Sequence, residues 1–185
     1  MSLFGDGLEA AVQKAFTRPA PKTAPAQMRY LVKQLKSTRA VAQMLRISQR
    51  TVERYVKNQI KKPRPDLAAR LEREVTRRWQ PQVRARARRQ AATTGGIVID
   101  TRARIGYTAP IGTTDDARLR HLTVALPPQY AARLFDAQQS GAADQQLQQI
   151  AAEGLKELYF QDGGRRAGSL EQIRFTDIEH IEFEL

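Results

Sequence analysis

Two stretches of this chain hold side chains able to do chemistry. The first is TTDD, residues 113–116, where the hydroxyls of Thr113 and Thr114 precede the carboxylates of Asp115 and Asp116. A threonine hydroxyl is a weak nucleophile until a base or a metal ion activates it, and no suitable base stands near it in the sequence. In one reading a threonine N-caps a helix beginning DDARLRHL, and the two aspartates complement its positive end. In another, the two hydroxyls stand on a loop over 109–116 bracketed by Pro110, Gly112 and the two carboxylates. Residue types alone leave Thr113, Thr114, Thr108 and any exposed serine open as the reactive hydroxyl. A third reading makes Asp115 and Asp116 part of a metal-dependent nuclease or transferase. Adjacent carboxylates are poorly placed for that unless a third acid, Asp100, approaches through the fold.

The second stretch is TRAVAQMLRISQRTVERYVK, Thr38 to Lys57. Val41, Ala42, Leu45, Ile47, Val52 and Tyr55 fall at spacings that let two short helices share one apolar seam. Ser48 stands where the second helix begins and can accept from an unpaired backbone N–H. Gln49, Arg50, Glu53, Arg54 and Lys57 are left on the outer face. That is the pattern of a helix-turn-helix whose second helix enters a DNA major groove. Arg46 occupies the turn position where glycine would relieve a left-handed backbone.

Other chemistries find little support. There is no cysteine, so neither disulfides nor a thiolate metal site is available, and the two histidines, His121 and His180, stand isolated in sequence. Phosphate-loop, HExxH, GxSxG and kinase signatures are missing. No metal or cofactor of its own is expected. No long apolar run or export signal is seen, so a soluble cytoplasmic protein with no membrane partner is expected.

Charge divides the chain. Residues 1–94 carry 22 Lys and Arg against 6 Asp and Glu, and residues 95–185 carry 9 against 13, so a half at +16 is joined to a half at −4. A basic half of this kind is built to meet a polyanion.

The elements that would position these groups follow from periodicity. Leu8, Ala11, Val12, Ala15 and Phe16 predict an N-terminal amphipathic helix, and Pro19, Pro21 and Pro25 an extended basic arm. Met28, Leu31, Val32 and Leu35 predict the helix that completes a three-helix unit. Lys57, Lys61, Lys62 and Arg64 then lie near phosphate height. A helix of about 13 residues starts at Asp66 as N-cap and breaks at Pro81, its partner face carrying Arg70, Arg73, Arg77 and Arg78. The run VRARARRQ, with Arg84, Arg86, Arg88 and Arg89, suits an arm or a helix ordered by phosphates. Gly95 and Gly96 mark a boundary, beyond which alternation over 97–107 predicts one face of a long strand or of a hairpin with bent register. Leu122, Val124 and Leu126 predict a second strand, then come two helices, and Ile173, Phe175, Ile181 and Phe183 predict a strand-forming tail. The expected fold class is α+β: an all-helical helix-turn-helix DNA-binding domain, then a small α+β domain. Its expected divisions are 1–26 (helix and arm), 27–94 (DNA-binding domain with basic extension) and 95–185 (α+β domain carrying the loop).

With SLFGDGLEAAV, TRAVAQMLRISQRTVERYVKNQ and GYTAPIGTTDDARLRHLTVALP in view, the whole chain resembles the telomere-protecting terminal proteins of linear Streptomyces chromosomes and plasmids. The resemblance implies a protein covalently linked to 5′ DNA ends that primes end-patching synthesis in DNA replication. It is a substrate of a DNA polymerase and not a turnover enzyme. It places the linkage on Thr114. It also implies as partners telomeric DNA (single-stranded overhang or hairpin, and duplex), a DNA polymerase with its divalent ions, and a larger telomere-associated protein, in the nucleoid at chromosome ends. Asp115 and Asp116 are expected to imitate the charge of a primer backbone. The competing expectation is a helix-turn-helix regulator or replicon-maintenance protein without covalent linkage.

Overall fold

The computed structural model describes residues 3–108, 114–165 and 170–185, with the backbone alone at 114–116. The fold is α+β, with eight α-helices and one three-stranded antiparallel sheet among the described residues. The chain forms two compact units: one comprises Thr17–Pro81, and the other Met1–Phe16 together with Gln82–Leu185. These limits differ from the expected divisions at 26/27 and 94/95. The first helix and the arginine run both belong to the unit that contains the sheet.

The helical unit holds α2 (Ala24–Leu35), α3 (Thr38–Leu45), α4 (Gln49–Val56) and α5 (Pro65–Arg78). Met28, Leu31, Val41, Leu45, Val52, Tyr55, Leu71 and Val75 form its core. Each such side chain removed from water contributes roughly 1.5–3 kcal/mol before the entropy of ordering is set against it. Ser37 caps α3 by accepting from the Ala40 N–H at 3.1 Å. Arg46 closes α3 in the left-handed region at φ 54°, ψ 49°. Two expectations are corrected here. Asp66 lies in the first turn of α5, not at its N-cap, which is Arg64 followed by Pro65; proline's fixed φ suits that first position. The proline-rich segment is also less free than an arm: the Trp79 indole N–H donates to Arg18 O at 3.0 Å, and the Gln80 side chain bonds Thr17 N and Thr17 Oγ1, both at 3.0 Å. Pro25 itself lies in the first turn of α2.

In the other unit the strand order is β2-β1-β3, with β1 Ile97–Thr108, β2 Thr114–Leu126 and β3 Gln172–Glu184. The alternation read along β1 buries Ile97, Ile99, Thr101, Ala103 and Ile105. On that unit's core lie α1 (Leu3–Lys14), α7 (Pro128–Gln139) and α8 (Asp144–Leu155), with α6 (Pro81–Gln90) leading into β1. Asp144 explains where α1 docks: one carboxylate oxygen accepts from Phe4 N at 3.0 Å and Gly5 N at 3.1 Å, satisfying two N–H groups of its first turn. Gly7 lets α1 approach, since a Cβ there would stand 2.9 Å from the Phe183 ring. The tail forms one continuous strand, in which register shifts at Arg102/Ala103 and Arg104/Ile105 absorb the break in its alternation.

Candidate nucleic-acid interface

Helix α4 presents a polar face because its core contacts are confined to the opposite side. Val52 and Tyr55 are buried, while Ser48, Gln49, Arg50, Arg54 and Lys57 are exposed. At 100° per residue Arg50, Arg54 and Lys57 fall within about 60° of one another, forming one cationic stripe. Ser48 anchors the helix start: its Oγ accepts from the Thr51 N–H at 3.1 Å and lies 2.8 Å from Thr51 Oγ1. The Gln49 amide donates to Thr38 Oγ1 at 3.1 Å and Glu53 Oε1 at 3.0 Å, so its orientation is set from both sides. At the other end Arg29 Nη1 donates to Val56 O at 3.2 Å and Asn58 Oδ1 at 3.1 Å, closing the last turn. Sequence periodicity did not reveal Arg29, since its contact is 27 residues away. Lys61, Lys62 and Arg64 are exposed on the connection from α4 to α5.

The arginine run behaves differently. Arg86 and Arg89 are exposed on α6, but Arg84 is buried. Its two terminal nitrogens donate to the two carboxylate oxygens of Glu9 at 2.6 and 2.5 Å, and its guanidinium lies 5.9 Å from the centre of the Phe16 ring. Arg88 is half-buried, 3.8 Å from the same carboxylate and 5.8 Å from the Phe135 ring centre. Burial and the neighbouring Arg84 lower its pKa. Arg84 and Arg88 were both expected to face phosphates. Arg84 instead packs inward because Glu9 supplies a bidentate partner.

Thr114 begins β2, paired with Thr108 at the end of the β1 ladder, and Asp115 pairs with Tyr107. The expected loop over 109–116 is therefore corrected at its C-terminal end, which is strand. Because DDARLRHL is strand as well, no helix is there for a threonine to cap. Between the Tyr107/Asp115 and Ile105/Arg118 pairs, β2 has two residues where β1 has Gly106 alone, a bulge that twists this end of the hairpin. Thr113, with the rest of 109–113, lies outside the described residues.

The register also separates the carboxylates. Asp100 is opposite Thr123, seven positions along β1 from the Tyr107/Asp115 pair, which at the rise of a strand is roughly 20 Å. Asp100 therefore does not join Asp115 and Asp116 in one metal site. Its own neighbours are Thr123 Oγ1 at 2.5 Å, His121 Nε2 at 3.2 Å and His180 Nε2 at 3.8 Å. The hydrogen bonds from Thr123 and His121 hold its carboxyl below the usual range. The sheet thus brings together two histidines that are 59 positions apart in sequence. Among the described residues no cluster of histidine and acidic side chains is arranged to hold a metal ion.

No family model, curated protein or solved structure matches the chain. No helix among the described residues is long and apolar enough to cross a membrane.

Proposed function

We propose that the chain is a DNA terminal protein. Its helical unit is a helix-turn-helix that binds duplex near telomeric ends through α4, and its sheet unit presents Thr114 as the primer hydroxyl. The observation that carries the DNA-binding part is the exposed Arg50, Arg54 and Lys57 stripe on a Ser48-capped helix, opposite the buried Val52 and Tyr55. The choice of Thr114 rests on the resemblance to terminal proteins. The ladder supports it in one respect: the residue follows directly on the segment joining β1 to β2, at the end of a hairpin and not in the middle of the sheet.

The chemistry is nucleotidyl transfer within a partner polymerase. Thr114 Oγ1 attacks the α-phosphorus of a deoxynucleoside triphosphate and loses its proton to solvent. A threonine–phosphate ester forms, the bond to the β-phosphate oxygen breaks, and pyrophosphate leaves. Activation of the hydroxyl and stabilisation of the leaving group would come from the polymerase's divalent ions. Asp115 and Asp116 supply negative charge where a nucleic-acid primer would carry its last phosphates. The protein is consumed once per end, and a larger telomere-associated protein delivers it to the overhang.

Fluorescence anisotropy with duplex DNA tests the docking half. Arg50→Ala combined with Arg54→Ala is expected to weaken binding at least tenfold and to reduce its salt dependence, whereas Thr114→Ala leaves it unchanged. Equal affinity in the double variant would remove α4 from the interface. DNA binding without any nucleotide attachment would favour a helix-turn-helix regulator.

A further inference from the structure

A concavity of about 470 Å³ in the helical unit is lined by Met44, Arg46, Arg70, Arg73, Glu74 and Arg77. Arg70, Arg73 and Arg77 occupy positions i, i+3 and i+7 of α5, one face of the helix, beside the Leu67, Leu71 and Val75 stripe that enters the core. Arg46 joins them from the left-handed turn that ends α3. The one acid in the lining is already taken, because Glu74 pairs with Arg78 one turn along α5. No acidic side chain among the described residues pairs with any of the other four arginines. Like charges three and four positions apart repel one another on a helix, so this face is arranged against its own stability. The Arg70 Nε is closed off from solvent and has no hydrogen-bond acceptor in the chain, so the terminal nitrogens of its guanidinium are the ones left to meet a ligand.

We infer that this concavity is a binding site for a phosphodiester backbone, separate from the exposed face of α4, with Arg70, Arg73, Arg77 and Arg46 as its donors. Planar guanidinium forks match the paired oxygens of a phosphate. The volume is in the range of small-ligand pockets and far beyond that of one ion, so it takes a short run of backbone. Arg46 lies three residues before Gln49, so the site opens at the turn that leads into α4. A nucleic acid held at α4 and here would be gripped by two elements, which suits an end where duplex passes into single strand. The identity of the polymer rests on the nucleic-acid reading above; the site itself does not require α4 to bind.

The experiment follows the Arg70 Nε–Hε resonance in the full chain, in an Arg50→Ala/Arg54→Ala background, during titration with hexathymidylate and separately with orthophosphate. The expected result is a saturable shift with hexathymidylate at concentrations where orthophosphate gives none. Arg73→Gln/Arg77→Gln, which keeps the Arg70 reporter, is expected to weaken that binding at least tenfold and to lower the slope of log affinity against log salt by about 1.4, as for two single-strand phosphates. An Arg70 resonance unmoved by hexathymidylate would overturn the proposal even if duplex binding through Arg50 and Arg54 were intact. A shift with orthophosphate at equal or lower concentration would overturn the backbone assignment. A shift in Arg70 while the α4 variant binds duplex normally would instead remove α4 from the DNA reading and leave this site standing.

Discussion

Arg84 donates to both carboxylate oxygens of Glu9, at 2.6 and 2.5 Å, so a residue of the arginine-rich run closes onto a helix 75 positions earlier in the chain. The Arg84 side chain is only 7% exposed and that of Glu9 27%, so removing either partner leaves a mostly buried charge without its counterion. Glu9→Ala is expected to lower stability in urea by about 3 kcal/mol. Arg84→Gln is expected to destabilise comparably while changing DNA affinity less than twofold below the unfolding temperature. A variant that stayed stable but lost DNA affinity would make Arg84 a phosphate contact after all.

The turn before α4 allows stability and binding to be moved in opposite directions. Arg46 sits at φ 54°, a conformation that costs a residue with a Cβ about 1 kcal/mol or more. Arg46→Gly is therefore expected to raise stability by about 0.5–1 kcal/mol while weakening nucleic-acid binding. Ser48→Ala removes the cap of α4 and is expected to cost about 1 kcal/mol. Parallel urea and anisotropy measurements check both.

Gly96 makes the turn into β1. Its φ of 72° and ψ of −159° lie in a region that glycine alone occupies comfortably, and a Cβ there would fall 2.3 Å from Leu126 O. Gly96→Ala is expected to cost at least about 2 kcal/mol. At Gly141, with φ 79° and nothing within 4 Å of where a Cβ would stand, the same change meets no neighbour and is expected to cost about 1 kcal/mol. Urea unfolding of the two variants side by side checks the difference.

The Asp100 carboxyl is held low first by the Thr123 hydroxyl and then by His121. A depressed folded-state pKa means that stability is gained above the unfolded carboxylate range and lost as pH falls through the folded value. Thr123→Val is expected to move the Asp100 titration, followed by carboxyl carbon chemical shift, upward toward the ordinary carboxylate value, and to shift the acid limb of unfolding to higher pH. An unmoved titration would show that the hydroxyl does not hold the charge.

Local features were legible where one helix or strand contains its own signal. The Ser48 cap, the αL turn at Arg46 and the alternation from Ile97 to Ile105 each depend on neighbours within a few residues, and each stands where periodicity placed it. What escaped the sequence depends on partners far along the chain. Asp144 bonds the start of α1, Glu9 takes Arg84, and Trp79 and Gln80 tie down Thr17 and Arg18. Charge counting treats every arginine alike, so it could not separate the inward Arg84 from the exposed Arg86 and Arg89, or see that Arg70, Arg73, Arg77 and Arg46 share one concavity. The start of β2 at Thr114 was obscured because TTDD reads as a helix cap or a loop and carries no strand signal.

If Thr114 becomes part of a DNA end, residue-level mapping of the linkage will find the nucleotide there. The full chain is incubated with a polymerase-containing extract, labelled deoxynucleotide and telomeric template, then denatured, digested and sequenced by mass spectrometry. The expected result is a single nucleotidylated residue at Thr114, with labelling lost in Thr114→Ala, largely kept in Thr114→Ser, and DNA affinity unchanged in both. Attachment at Thr113, Thr108 or a serine, or full labelling of Thr114→Ala, would take the priming role away from Thr114.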